Sequence, residues 1–382
     1  MRMRVLHVFR SYYPDSDGGV ERAIDHLIGG TAGHGVSNHV FALSPSPAAR
    51  PFRWGRGVVH QRRRHLELAS CSISLNTVSF FRRLAAKADV LHYHFPWPFA
   101  DALHLLTATS RPALVTYHSD IVRQRMLKHA YAPVMRRFLA RMDAVVATSP
   151  QYESSSPVLQ TLPEERRRVI PLGLDEYRYP EADPARVAYW RERLGTGFFL
   201  FVGVLRYYKG LHVLVEAMRS VAGKAVVVGA GPMEASLQQQ CTDAGVGSRV
   251  VFLSHLPDAD KAALLSLCRA MVFPSHRRSE AFGVSLIEAA MFGRPMITAD
   301  IGTGTSFVNK HGETGLVVPP ENASALADAM RRLTDAPEEA ERMGRCARDR
   351  FEQVLRIERS ADAYVDLYET LLAERTRALT QS

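Results

Sequence analysis

The feature that most constrains this chain is an alternation, played out twice, of short apolar runs with longer amphipathic stretches. In the first half the apolar runs fall at residues 5–9, 38–42, 90–93, 113–117 and 144–147. Helical patterns such as 20–28 and 127–141 lie between them. The stretch 171–195 is rich in Pro, Gly and charge, and reads as a linker with a helix at its end. The alternation then restarts at 198–202, 225–228, 250–253, 270–273, 295–299 and 315–317, with helices expected at 211–219, 233–244, 259–267 and 284–292. A charged helical tail follows from 324 to about 378. Strands buried on both faces of a parallel sheet read as continuous apolar runs, and crossover helices join them. The pattern predicts an α/β chain of two doubly wound, Rossmann-like units. The boundaries read as 1–178, a linker at 179–195 and 196–359, with a last helix at about 360–382. Open sheets of this kind bind ligands beyond the carboxyl ends of their strands, so two facing units would enclose one deep cleft.

Charge separates the halves. Of the net +9, residues 1–180 hold 24 Lys+Arg against 14 Asp+Glu, while residues 181–382 hold 24 against 25. An excess confined to one half predicts an anionic partner there. Nucleic acid, anionic lipid and a diphosphate-bearing acceptor all satisfy that requirement. The basic segments Arg50-Pro51-Phe52-Arg53-Trp54-Gly55-Arg56 and Arg62-Arg63-Arg64 mix cations with aromatics, which suits a membrane surface. A helix bearing Arg123, Arg125, Lys128, Arg136 and Arg137 adds to that reading, and no nucleic-acid-binding motif accompanies it. A solvated basic loop is the plain alternative. No stretch nears the ~20 apolar residues of a membrane span. The run at 5–9 is too short for a signal peptide, so the expected address is cytoplasmic. Cys71, Cys241, Cys268 and Cys346 are scattered and form no C-x-x-C pair, as expected of small core fillers.

The most informative segment is Phe273-Pro274-Ser275-His276-Arg277-Arg278-Ser279-Glu280-Ala281-Phe282-Gly283-Val284-Ser285-Leu286-Ile287-Glu288. It reads as a strand end, a polar loop and a helix start near 282–284. Amides at a helix start favour phosphate, and Gly283 lets a ligand approach the backbone. Glu280 precedes the helix. Glu288, about one turn in, could accept hydrogen bonds from ribose hydroxyls. Alternatively, Glu280 is an acidic cap and Glu288 an exposed helix residue.

These residues, with Gly293 and Pro295, resemble the signature of the retaining family 4 glycosyltransferases of GT-B architecture. The resemblance extends to Gly18-Gly19-Val20-Glu21, Tyr117-His118-Ser119-Asp120, Ile170-Pro171-Leu172-Gly173-Leu174-Asp175, Val202-Gly203-Val204-Leu205-Arg206-Tyr207-Tyr208-Lys209-Gly210 and Gly312-Glu313-Thr314-Gly315. It covers residues 3–375 or so, and it implies that the last helix, about 360–382, crosses back to complete the first unit. With Ala147-Thr148-Ser149-Pro150, the wording is similar to mannosyl- and rhamnosyltransferases of O-antigen and exopolysaccharide assembly.

The resemblance implies roles. His118, Glu280, Arg206 and Lys209 would act at the reacting sugar and leaving diphosphate. Gly18, Gly19, Phe282, Gly283, Val284 and Glu288 would hold the donor. Many relatives carry Arg where this chain has Val204, and Arg206 stands two residues later. The donor implied is a nucleotide sugar, GDP-linked first and UDP-linked next. The acceptor implied is a lipid-linked saccharide at the inner face of the cell membrane. Neither a metal nor another cofactor is expected, and no nucleic acid. A GT-B sugar-nucleotide epimerase, a pyridoxal-phosphate phosphorylase and a non-catalytic membrane adaptor are the competing readings. Two motifs read as decoys: Asp15-Ser16-Asp17, taken as turn and cap chemistry, and Gly229-Ala230-Gly231-Pro232, which lacks the third glycine of a dinucleotide fingerprint.

Overall fold

The structure, a computed structural model, describes residues 2–68, 71–107, 109–121 and 125–380. Arg123 of the basic helix lies outside the described residues. The chain divides into two units, Met1–Gly173 with Ile357–Ser382, and Leu174–Arg356.

The first unit is built on an eight-stranded sheet. Its strands are β1 (Arg4–Val8), β2 (Ser37–Ser44), β3 (Phe52–Trp54), β4 (Gly57–Arg63), β7 (Val90–Phe95), β8 (Ala113–Tyr117), β9 (Ala144–Ala147) and β10 (Arg167–Val169). Between them, β5 (Leu66–Leu68) and β6 (Cys71–Ile73) make a separate antiparallel pair. The order is β10-β9-β8-β7-β1-β2-β4-β3, parallel except at β3, which turns back on β4. Strands β7, β8 and β9 are buried along their whole length, which is why their apolar runs stand out in the sequence. Strands β3 to β6 lack such runs. Phe52 and Trp54 still turn inward against the core, with Trp54 stacked on Tyr13 at 5.0 Å, while Arg53 and Arg56 stay exposed.

The last helix, Ile357–Thr380, closes this sheet. Tyr364, Val365, Leu367, Tyr368 and Leu371 join Val5, Val90, Leu114 and Val146 in one core. Its tyrosines also bond to strand side chains, Tyr368 to His92 (2.7 Å) and Tyr364 to Thr116 (2.6 Å). It crosses the helix Gly19–Gly33 so closely that a Cβ at Gly30 would come within 2.8 Å of the Ala361 Cβ.

The second unit carries β11 (Phe199–Val202), β12 (Ala225–Val228), β13 (Val250–Leu253), β14 (Ala270–Phe273), β15 (Met296–Ala299) and β16 (Gly315–Val318). All are parallel, in the order β13-β12-β11-β14-β15-β16. The strand order thus reverses between β11 and β14, the place where open α/β sheets bind their ligands. Residues 179–195 fall inside this unit. Their helix, Pro184–Leu194, starts on the Asp183 cap, and Trp190 donates to Asp260 at 2.9 Å. The charged tail is helical as expected, in three segments, Ala323–Asp335, Pro337–Arg350 and Ile357–Thr380. Pro337 opens a second at Pro337–Arg350, since proline cannot continue the first. A wide turn at Phe351–Leu355 and an extended Arg356 (ψ 144°) then end it. Among the described residues no helix is long and apolar enough to cross a membrane.

Candidate active site

In the second unit, two loops meet at the switch point. After β11 the chain runs through the single turn Tyr207–Lys209 to Gly210, whose φ of 72° only glycine adopts without strain. After β14 it runs from Pro274 to Gly283 (φ 85°), which starts the helix Val284–Met291. The loops are knitted together. The amide of His276 donates to the Tyr208 carbonyl at 3.0 Å. Lys209 Nζ forms an ion pair with Glu280 Oε2, both side chains being nearly buried. Ser275 Oγ donates to the same carboxylate at 3.4 Å. The ammonium also lies 4.6 Å from the Phe273 ring centre, so its position is fixed by packing as well as charge.

Beside this knot the amides of Phe282, Gly283 and Val284 donate to no group among the described residues. Arg206 is exposed and forms no ion pair among the described residues. Val204 is also exposed. The arrangement offers an anion three backbone donors and two cations, one held and one free to swing. Neither plain reading of the glutamates holds. Glu280 is buried at the Lys209 knot, and Glu288 is 3% exposed. Glu288 accepts from the Tyr179 hydroxyl and lies 4.0 Å from Lys261 Nζ.

A Cβ on Gly210 would lie 1.9 Å from the Pro274 carbonyl oxygen. Gly210→Ala is therefore expected to push the two loops apart and to cost about 2–4 kcal/mol, combining backbone strain with overlap. Gly245 has a similar φ of 68° but nothing within 4 Å, so Gly245→Ala should cost only about 1 kcal/mol. Denaturant melts of the two variants check this, and equal losses would dispose of the overlap argument.

In the first unit, the loops after β1 and β8 leave the same, carboxyl end of the sheet. Gly18 precedes the helix Gly19–Gly33. A Cβ there would meet Glu21 Oε2 at 2.6 Å. Glu21, itself buried, accepts from Ser11 and Ser16 at 2.7 Å each and so braces the Gly18-Gly19 turn. The Asp15-Ser16-Asp17 motif is occupied locally. Asp17 pairs with Arg22 and accepts from Tyr13, and Asp15 accepts from Gln61. Gly229 and Gly231, in the second unit, serve close packing instead. A Cβ on either would strike the Gly203 or Leu205 carbonyl oxygen.

His118 ends β8 and is the outer member of a hydrogen-bonded file. His118 Nε2 faces His94 Nδ1 at 3.0 Å, His94 Nε2 faces His7 Nδ1 at 3.1 Å, and His7 Nε2 faces Asn38 Oδ1 at 3.1 Å. Asn38 Nδ2 donates to the Ile28 carbonyl and to Thr31, so its oxygen must face His7. That assigns the hydrogen to Nε2 of His7, then of His94, then of His118. His118 Nδ1 is left as a lone-pair acceptor, with no hydrogen-bond partner among the described residues. Burial lowers His7 to about 4 and His118 to about 3, and puts His94 well below its ordinary value, so the file is neutral at pH 7. His92 is taken up by Tyr368 and Thr116. Sequence reading passed over His7, Asn38, Ser275, Tyr179 and Lys261. A signal that could have found the file lies in His92 and His94, whose spacing of two places both on one face of a strand.

Two parallel-sheet units, a glycine turn and histidine at one sheet end, and a Lys–Glu knot at a switch point describe the sugar-transfer enzymes of GT-B fold. The comparisons agree. The family described as "Glycosyltransferase Family 4" matches residues 17–178, and "Glycosyl transferases group 1" matches 189–350. D-rhamnosyltransferase WbpZ of Pseudomonas aeruginosa is 51% identical over 92% of this chain and 92% of its own. O-antigen chain mannosyltransferase C of Escherichia coli is 44% identical over 98% of this chain and 100% of its own. The fold matches sucrose-phosphate synthase of Thermosynechococcus elongatus with a TM-score of 0.81, at 23% identity, covering 98% of this chain and 100% of that one. The chain belongs to the family 4, group 1 glycosyltransferases. Its substrates are accordingly a nucleotide-sugar donor and a saccharide acceptor.

Proposed function

We propose that the chain transfers mannose or rhamnose from a GDP-sugar, with retention and without a metal, to a lipid-linked saccharide in bacterial O-antigen or exopolysaccharide synthesis. The observation that carries this reading is the Lys209–Glu280–Ser275 knot beside three unpaired amides. It suits a leaving diphosphate, whose growing charge Lys209 and Arg206 would counter. Glu280 would orient the donor, and Glu288, fixed by Tyr179, would meet the ribose. The lone pair of His118 Nδ1 would accept from a sugar hydroxyl. Gly18 and Gly19 would admit the donor phosphate or the acceptor to the backbone. No nucleophile is assigned to the protein. The leaving phosphate would take the acceptor's proton on the same face of the sugar. The sugars named for the two relatives above support mannose or rhamnose, and the basic first half supports a peripheral place at the inner face of the membrane.

Thermal melts with GDP, UDP, ADP and their sugars, in chelator, test the donor. A ligand at a hundred times its dissociation constant stabilises by about 2.7 kcal/mol, and GDP should give the largest shift. A shift from UDP alone would overturn the donor base. A shift that requires divalent metal would overturn the metal-free reading.

A further inference from the structure

A pocket of about 340 Å³ in the first unit is lined by Arg50, Arg62, Arg63, His65, Asn76 and Phe80 among others, with no carboxylate in its wall. Its origin is topological. β3 pairs only with residues 57–59 of β4, so the outer edge of 60–63 has no strand beside it. β4 and its neighbours β2, β1, β7 and β8 are parallel, so Arg62 and Arg63 leave the same end of the sheet as the Gly18-Gly19 turn and His118. Arg62 is set in place. Its guanidinium lies 5.0 Å from the Phe80 ring centre and donates to the Asn76 carbonyl at 3.3 Å. Its Nε is buried without a hydrogen-bond partner. Arg50 and Arg63 are exposed and form no ion pair among the described residues. The neighbouring acids are engaged elsewhere, Glu67 with Arg64 and Asp15 with Gln61.

Forked N–H donors converging on one concavity match the oxygens of a phosphate. We propose that this pocket binds the phosphate or diphosphate ester linking the acceptor saccharide to its lipid, so that the acceptor is recognised by its charge as well as its sugar. The inference rests on the lipid-linked acceptor proposed above. A concave pocket with one arginine half-buried and set in place suits one discrete group better than the diffuse charge of a membrane surface.

The test compares one acceptor sugar carried on a short, soluble isoprenyl diphosphate with the same sugar on an uncharged alkyl chain. The wild-type enzyme should favour the diphosphate acceptor in kcat/KM. In Arg50→Gln/Arg63→Gln and in Arg62→Gln that preference should fall about ten- to a hundredfold, chiefly through KM. The thermal shift given by GDP serves as the fold check in each variant. A wild-type enzyme indifferent to the diphosphate would remove the lipid-linked acceptor, and this inference with it. A wild-type preference that both variants retain would overturn the pocket alone. Loss of binding to phosphatidylglycerol vesicles with the preference intact would assign the arginines to the membrane surface, and would equally overturn it.

Discussion

Replacing Lys209 by methionine is expected to slow sugar transfer by ~10²–10³-fold, the usual cost of removing one charge stabiliser from a transition state. Methionine keeps an apolar stem against Phe273 and Tyr208, so packing is largely spared. The complication is Glu280, whose nearly buried carboxylate would lose its partner. The double variant Lys209→Met/Glu280→Gln removes that orphaned charge. If Lys209 acts on the leaving diphosphate, the double variant stays slower than Glu280→Gln alone by about the same factor. If Lys209 merely neutralises Glu280, the double variant matches Glu280→Gln alone. Single-turnover rates at saturating donor decide, and a Lys209→Met enzyme within about threefold of wild type would refute the role.

The second large effect is loss of stability in mild acid. His7, His92, His94 and His118 are buried among themselves, and burial is the leading cause that lowers all four. Above the ordinary histidine value of 6.5 they are neutral both folded and unfolded, and their contribution is complete. Below it the unfolded chain takes up protons that the native file refuses until about pH 4 at His7 and about 3 at His118. Each histidine therefore removes about 1.4 kcal/mol per pH unit across that window. Asp101 acts in the opposite sense. Burial raises it to about 8, so it stays protonated in the fold while the unfolded acid ionises, and falling pH returns stability. These five groups together take up about three protons on unfolding near pH 5, or about 4 kcal/mol per pH unit, and His39 and His104, which burial also lowers to about 4, steepen the slope further. That slope consumes much of the roughly 5–15 kcal/mol typical of a domain. Urea melts between about pH 6.5 and 5 measure it, and a flat profile would show that the histidines titrate normally in the fold.

The sequence was most readable where one residue type had one job. Ala225–Val228 and Ala270–Phe273 announce strands because both faces are buried. The signature from Phe273 to Glu288 announced the site because its glycine and glutamates sit on a single loop and helix. What escaped needed partners far along the chain. Glu288 meets Tyr179 across 109 residues, and His7 meets His94 across 87. The register that sets His7 opposite His92 belongs to the folded sheet, and no local pattern encodes it. Strands β3, β5 and β6 escaped because three residues are too few to show a period, and β4 because its apolar pair Val58-Val59 runs straight into His60, Gln61, Arg62 and Arg63. The Pro184–Leu194 helix was legible at the end of the linker, but its anchor was not, since Trp190 meets Asp260 70 residues away.

The tyrosine-bearing final helix sets an order on synthesis. Residues 1–173 leave the ribosome first, yet Val5, Val90, Leu114 and Val146 keep one side bare until Ile357–Thr380 has been translated. The intervening 174–356 form a contiguous stretch and can complete their own sheet in the meantime. A nascent chain stalled anywhere in that interval displays an unsealed apolar face to solvent, so chaperone capture should peak there and end when the closing turns emerge.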